Sequence, residues 1–209
     1  LYTNTIGMFN CSHGTQSLYS NVDGDNNTAN GYKSLFSNAT GSNNTASGYN
    51  ASYSNTEGDR NTAIGIEALY TNTSGSDNTA LGQRSLYMNQ TGAENTALGA
   101  QALYNNSTGT HNTASGYQSL YSNTIGYDNI GSGYMALFQN TEGFGNTATG
   151  AFALESNTLG TLNTAVGYQC LNNNISGSHN DAYGDKSMFS NTTGYYNAAY
   201  GFNSLFANT

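Results

Sequence analysis

The stretch Asn78-Thr79-Ala80-Leu81-Gly82-Gln83-Arg84-Ser85-Leu86-Tyr87-Met88-Asn89-Gln90-Thr91-Gly92-Ala93-Glu94 decides the fold, because its pattern runs through the whole chain. Its first residue belongs to a series of Asn at 10, 27, 44, 61, 78, 95, 112, 129, 146, 163, 180 and 197, a step of 17 each time. Counting slots from that Asn, Gly fills slot five from Gly14 to Gly201 and slot fifteen from Gly7 to Gly194. Asn fills slot twelve from Asn4 to Asn208. Ala holds slot three, apart from Ser12 and Gly131, and slot eight is always Ala, Ser or Cys. Leu holds slot nine, apart from Ser52 and Met188. Tyr or Phe holds slot ten, apart from Glu155 and Asn172. The consensus is N-T-A-x-G-Y-x-A/S-L-Y-x-N-T-x-G-x-x, and residues 1–209 form one continuous array with partial repeats at both ends. Full repeats begin at 10, 27, 44, 61, 78, 95, 112, 129, 146, 163 and 180.

A period this short leaves no room for a helix pair, and two Gly and two Asn per repeat oppose helix. The pattern predicts an all-β chain, a parallel β-solenoid with one coil per repeat and about twelve coils. Coils stacked at the strand spacing of about 4.8 Å would make a rod about 58 Å long. Slots one, three and five are fixed while two and four vary, the period of a strand with its small side inward. Ala at slot three is then core, and Leu69, Leu86, Leu103 and Leu120 at slot nine supply the main apolar burial. Gly31, Gly48 and Gly65 at slot five are expected to take positive φ at corners, as are the glycines of slot fifteen.

Asn27, Asn44, Asn61, Asn78, Asn95 and Asn112 at slot one, with Asn38, Asn55 and Asn72 at slot twelve, are expected to form inward ladders. A side-chain amide both donates and accepts, so stacked copies satisfy one another; the plainer alternative is that Asn merely favours turns. Tyr53, Tyr70, Tyr87, Tyr104 and Tyr121 at slot ten directly follow a buried residue and are candidates for an outward contact ladder. That ladder could serve self-association or carbohydrate stacking. A corner at that point would instead turn the rings into core.

The composition agrees. The chain has 209 residues, 33 Asn, 26 Gly, no Pro and only 8% charged residues. Ordinary domains carry roughly 25% charged residues. A net charge of -8 with four Lys and Arg opposes binding to nucleic acid. No apolar run is long enough for a membrane span. His13, His111 and His179 are too dispersed along the array to share a metal, and no catalytic constellation or cofactor motif appears, so no enzyme is expected. The acidic residues Asp23, Asp25, Glu57, Asp59, Asp77, Glu94, Asp128 and Glu142 gather at slots fourteen to seventeen and are expected to be solvated. Cys11 and Cys170 lie nine coils apart and are too distant to pair. Of the N-x-S/T sequons, Asn26, Asn43 and Asn50 occupy exposed slots and are the candidate glycosylation sites. The array opens and closes in the same phase, so it is expected to be a window on a longer array or to stack end to end.

The NTALG strands at Asn78–Gly82 and Asn95–Gly99, followed by NT-x-G turns such as Asn72–Gly75, resemble a known repeat class. They look like the N-T-x-G-x-x-N-T-A-x-G-x-x-A-L repeats of phage-type tail fibres and surface proteins, and the small-x-Ala-x-Gly core is similar to the β-roll heads of trimeric autotransporter adhesins. The resemblance implies an extracellular, cell-surface or virion fibre. The expected function is structural: a rigid solenoid that forms a filament through its ends and its aromatic ladder. The alternative is an adhesin or tail-fibre shaft that binds surface glycans. A third expectation is ice binding through Thr rows at slots two and thirteen, which Ile130, Asp181, Ala198, Val22 and Gln90 interrupt.

Overall fold

The computed structural model describes residues 2–207. It is a β-solenoid of twelve short strands: β1 (Cys11–His13), β2 (Thr28–Asn30), β3 (Thr45–Ser47), β4 (Thr62–Ile64), β5 (Thr79–Leu81), β6 (Thr96–Leu98), β7 (Thr113–Ser115), β8 (Ile130–Ser132), β9 (Thr147–Thr149), β10 (Thr164–Val166), β11 (Asp181–Tyr183) and β12 (Ala198–Tyr200). They form one parallel sheet in chain order. Every pairing has the register of the repeat, as in Thr79↔Thr96, Ala80↔Ala97 and Leu81↔Leu98. The 17-residue step read from the sequence is therefore the step of the coil.

Only three residues per coil are strand, yet coils are hydrogen-bonded around most of their perimeter. Leu86 N–H donates to Ala102 O at 3.0 Å, Met88 to Tyr104 O at 2.9 Å and Gln90 to Ser107 O at 3.0 Å, all toward the following coil. Gly82 N–H donates to Ile64 O, Arg84 to Ile66 O and Glu94 to Ser76 O, all toward the preceding coil. Buried backbone polar groups must find partners, and here most find them one coil away.

The corners explain why the strands stop. Thirty-five described non-glycine residues have positive φ, all in slots seven, nine and seventeen. Leu86, for example, has φ 49 and Leu103 has φ 51. The left-handed region costs an L-residue roughly 1–2 kcal/mol. At slot nine the fully buried Leu offsets this, since burying Leu contributes about 1.5–3 kcal/mol. At slot seventeen the strain falls in part on Asn26, Asn43, Asp77, His111, Asp128 and His179, the residue types that tolerate this conformation best, but also on Phe9, Arg60, Glu94, Leu162 and Tyr196.

The expectation for glycine is right at slot five and wrong at slot fifteen. Gly31, Gly48 and Gly65 have φ of 131, 140 and 135. The slot-fifteen glycines have no positive φ; close approach fixes them instead. A Cβ on Gly41 would lie 2.5 Å from Gly58 O, 2.6 Å from Asn38 Oδ1 and 2.7 Å from Asn55 Nδ2.

The core has three columns: Ala63, Ala80, Ala97 and Ala114 at slot three, Leu69, Leu86, Leu103 and Leu120 at slot nine, and small residues such as Ala68, Ser85 and Ala102 at slot eight, all fully buried. At Gly131, where slot three departs from Ala, Ser119 Oγ lies 2.5 Å from the place a Cβ would take, and it donates to Gly131 O at 2.9 Å. Ser52 is the uncompensated exception, a buried hydroxyl with no partner in the chain, standing where its neighbours Leu35 and Leu69 place leucines.

Two stability changes follow. Ser52→Leu removes an unpaired buried hydroxyl and completes the column, and should raise the unfolding free energy by about 1–3 kcal/mol in denaturant titrations. Leu103→Ala should lower it by about 2–5 kcal/mol; an unchanged midpoint would contradict the assignment of slot nine to the core.

Candidate functional site

Slot twelve forms a continuous amide ladder. Asn55 Nδ2 donates to Asn38 Oδ1 at 2.7 Å, Asn72 Nδ2 to Asn55 Oδ1 at 2.8 Å and Asn89 Nδ2 to Asn72 Oδ1 at 2.8 Å. The second proton of each Nδ2 goes to the slot-fifteen carbonyl of its own turn, as from Asn89 to Gly92 O at 2.9 Å. Slot one forms a second ladder in which Oδ1 accepts from backbone. Asn44 Oδ1 receives Asn61 N–H at 2.9 Å, and Asn78 Oδ1 receives Asn95 N–H at 3.1 Å. Asn78 Nδ2 also reaches Gly92 O at 2.8 Å, so that carbonyl accepts from both ladders. Asn27, Asn44, Asn61, Asn78, Asn95 and Asn112 are buried, as are Asn38, Asn55 and Asn72.

Slot ten is a stack of rings. Tyr53, Tyr70, Tyr87, Tyr104 and Tyr121 follow one another at centroid distances of 5.0–5.2 Å, with interplanar angles of 5–15°. All five are half-buried, neither free outward ladder nor core. Each interior ring covers the faces of its neighbours, so this stretch turns edges and hydroxyls to solvent, and the faces that sugar stacking needs are taken. Burial raises the Tyr70 and Tyr87 phenols above their ordinary range, and neighbouring phenolate and Glu67 charge would add to the shift. More exposed apolar residues lie at slots four and six, including Tyr49, Ile64, Ile66, Tyr117 and Tyr134. The alternation of strand side chains places slot four on the outer face, and sequence reading did not single out slot six.

Charged residues also pair from coil to coil, at slots seven and seventeen. Arg60 makes two hydrogen bonds to Asp77, at 2.6 and 2.8 Å, which hold the Asp77 carboxyl below its usual range. Arg84 reaches Glu67 at 2.7 Å. His111 lies 3.2 Å from Glu94 and 3.6 Å from Asp128. Lys33 Nζ stands 5.3 Å from the Phe36 ring and 5.9 Å from that of Tyr53. The expectation that the corner carboxylates are merely solvated therefore misses the pairs made by Asp77, Glu94 and Asp128.

The remaining candidates are dispersed. Cys11 is exposed and Cys170 buried, both free, and burial pushes the Cys170 thiol up to about 12. Asn26 and Asn43 are exposed at their corners, whereas Asn50 is half-buried with an unpartnered Oδ1. Several slot-thirteen Thr hydroxyls are engaged within the rod, as from Thr56 to Thr73 O at 2.9 Å and from Thr124 to Thr141 O at 3.0 Å. Among the described residues no pocket is found, no cluster of metal-ligating side chains, and no helix long and apolar enough to cross a membrane.

Compared with protein-family models, curated proteins and solved structures, the chain matches none.

Asn55→Ala would strand Asn38 Oδ1 and one Asn72 Nδ2 proton in the interior. At roughly 1–3 kcal/mol for each orphaned group, the loss should be about 2–5 kcal/mol by denaturant titration. The raised phenols give a second outcome. A phenol whose folded pKa exceeds its unfolded value of about 10 contributes stability that is complete below that pH and is lost as pH rises through the folded value. Thermal melts should therefore hold steady from neutral to pH about 9 and fall above pH about 10. Tyr70→Phe with Tyr87→Phe should reduce that alkaline fall.

Proposed function

We propose that this chain is a structural protein, the rigid shaft of an extracellular or surface fibre. One observation carries the reading: coil-to-coil contacts recur in the same slots throughout. The amide ladder of slot twelve runs from Asn4 to Asn191, each link donated by the later Asn to the earlier one, as the first and last show. The sheet runs from β1 to β12 without a change of register. Such an array holds a fixed length and shape, and its stability grows with each interface between repeats.

The shaft reading also gives the surface a role. The exposed apolar residues of slots four and six form a stripe along the rod, and such stripes mark contact surfaces. Lateral association of copies along this stripe would bundle rods into a fibre. The expectation of an outside location rests on the resemblance to fibre repeats. A shaft in that setting gains from a chain with few cleavable positions, and Lys and Arg together number four.

Electron microscopy and fibre diffraction of the purified chain test this reading. Filaments or bundles longer than one chain, with a meridional spacing near 4.8 Å, are expected. Monodisperse single rods over a wide concentration range in sedimentation would overturn it.

A further inference from the structure

Slots four and six form two exposed rows on either side of the slot-five glycine. The chain turns there: Ser85 N–H donates to Gly82 O at 3.3 Å, so slots six and seven form the corner that follows the strand. The two rows are matched in size. Where slot six holds a ring, slot four is short, as in Ser47 beside Tyr49, Ser115 beside Tyr117 and Ser132 beside Tyr134. Where slot four is long, slot six is shorter, as in Leu98 beside Ala100 and Tyr183 beside Asp185. The coil of Asn61 has equal partners, Ile64 and Ile66, and that of Asn146 has two short ones, Thr149 and Ala151. In the ten successive coils from Asn27 to Tyr196, none carries a ring in both slots. The coil itself does not demand this, since the last one carries Tyr200 and Phe202 together.

The stripe is also nearly free of charge. Of four basic and twelve acidic residues, Asp185 alone falls in slots four and six. Contact cores are depleted of charge in the same way. Tyr49, Ile64, Ile66, Tyr117 and Tyr134 are 45–51% exposed, so about half of each side chain is left for a partner to cover. Ten coils make a band about 48 Å long, and three residues of extended chain make it about 10 Å wide. That is roughly 500 Å² on each rod and about 1,000 Å² for two, the area at which specific interfaces begin.

We propose that this stripe pairs with the same stripe of a second copy, the two rods parallel, in register and related by a two-fold axis along their length. The pairing rests on the shaft reading and gives its lateral association a geometry. Such an axis reverses the order of slots across the face and keeps each coil level with its counterpart. Slot four of one rod then meets slot six of the other in the same coil. Tyr49 meets Ser47, Tyr117 meets Ser115 and Leu98 meets Ala100, so long side chains enter the gaps left by short ones. The Asp185 carboxylate comes level with the Tyr183 hydroxyl, which is a donor. An antiparallel pair centred on the coil of Asn78 would keep slot against slot. Tyr49 would then meet Tyr117, and Ser47 would meet Ser115 across a void. A second copy has the same coil rise, so the match persists along the rod; a partner of another rise would lose register within a few coils.

Sedimentation equilibrium of the wild-type chain, at concentrations below filament formation, should give the mass of two chains. Ser115→Tyr sets ring against ring and should weaken the pair at least roughly tenfold. Ser115→Tyr combined with Tyr117→Ser exchanges the two sizes and should restore it. Both variants should melt with wild type, since Tyr183 already fills slot four and Thr15 slot six. Spin labels on Cys11 read the orientation without any substitution, because Cys11 is exposed and Cys170 is buried. A parallel pair holds the two labels at one level of the rod. The antiparallel pair sets them eight coil steps apart, about 38 Å. Single rods at every concentration, a tighter pair with Ser115→Tyr, or labels about 38 Å or more apart would each overturn the proposal. Filaments built without this pairing would overturn it too, while leaving the shaft reading in place; paired rods that never form filaments would overturn the shaft reading alone.

Discussion

The structure depends on one hydrogen-bonded unit, the carbonyl of the slot-fifteen glycine holding two asparagine amides. Gly92 O receives Asn78 Nδ2 from slot one and Asn89 Nδ2 from slot twelve. The unit ties the start of a coil to its closing turn, and the slot-twelve amide carries the link to the coil before. Other side chains do not substitute easily. Asp lacks the donors, Ser is too short to bridge, and Gln adds a methylene to a closed space. The same unit forbids a Cβ on the glycine, because that atom would enter the volume filled by the amide and the next carbonyl. Two invariant residue types thus follow from one geometric demand.

The energetics rest on repetition more than on core size. A column of Leu and two columns of small residues make a thin interior, and small domains with thin interiors are marginal. Three corner residues per coil sit in strained backbone conformations. What offsets that strain is the stack, in which buried amides and most perimeter N–H groups pair with the coil above or below. A single coil has no such partners, so folding free energy resides at the interfaces between repeats.

The repeat made much of this legible. Period, strand position, the inward faces of Ala80 and Leu86, and the ladders of Asn55 and Asn78 can all be reasoned from slots that never vary. The reason for Gly41 could not, because a residue fixed by contact with the next coil looks like one fixed by its own φ. The left-handed corners at Leu86 and Leu103 were hidden too, since Leu is a poor signal for that conformation. Slot seventeen carries a partial signal, as Asn26, Asn43, Asp77, His111 and Asp128 are types that accept positive φ, but Arg60, Glu94 and Leu162 in the same slot obscure it. The placement of Tyr70 and Tyr87 was ambiguous because alternation in a strand says nothing once a corner precedes the ring.

The perimeter hydrogen bonds run parallel to the rod axis, which gives the molecule a definite response to pulling. Load applied along the axis bears on the coil interfaces in series, and the outermost coil is the first to peel. Each peeled coil releases 17 residues, which span about 56–61 Å when extended against about 4.8 Å in the stack. Each interface that yields would lengthen the rod by about 50 Å. Since interfaces away from Ser52 and the Glu155–Asn172 pair are nearly equivalent, a rod pulled from its ends would lengthen in steps of one coil.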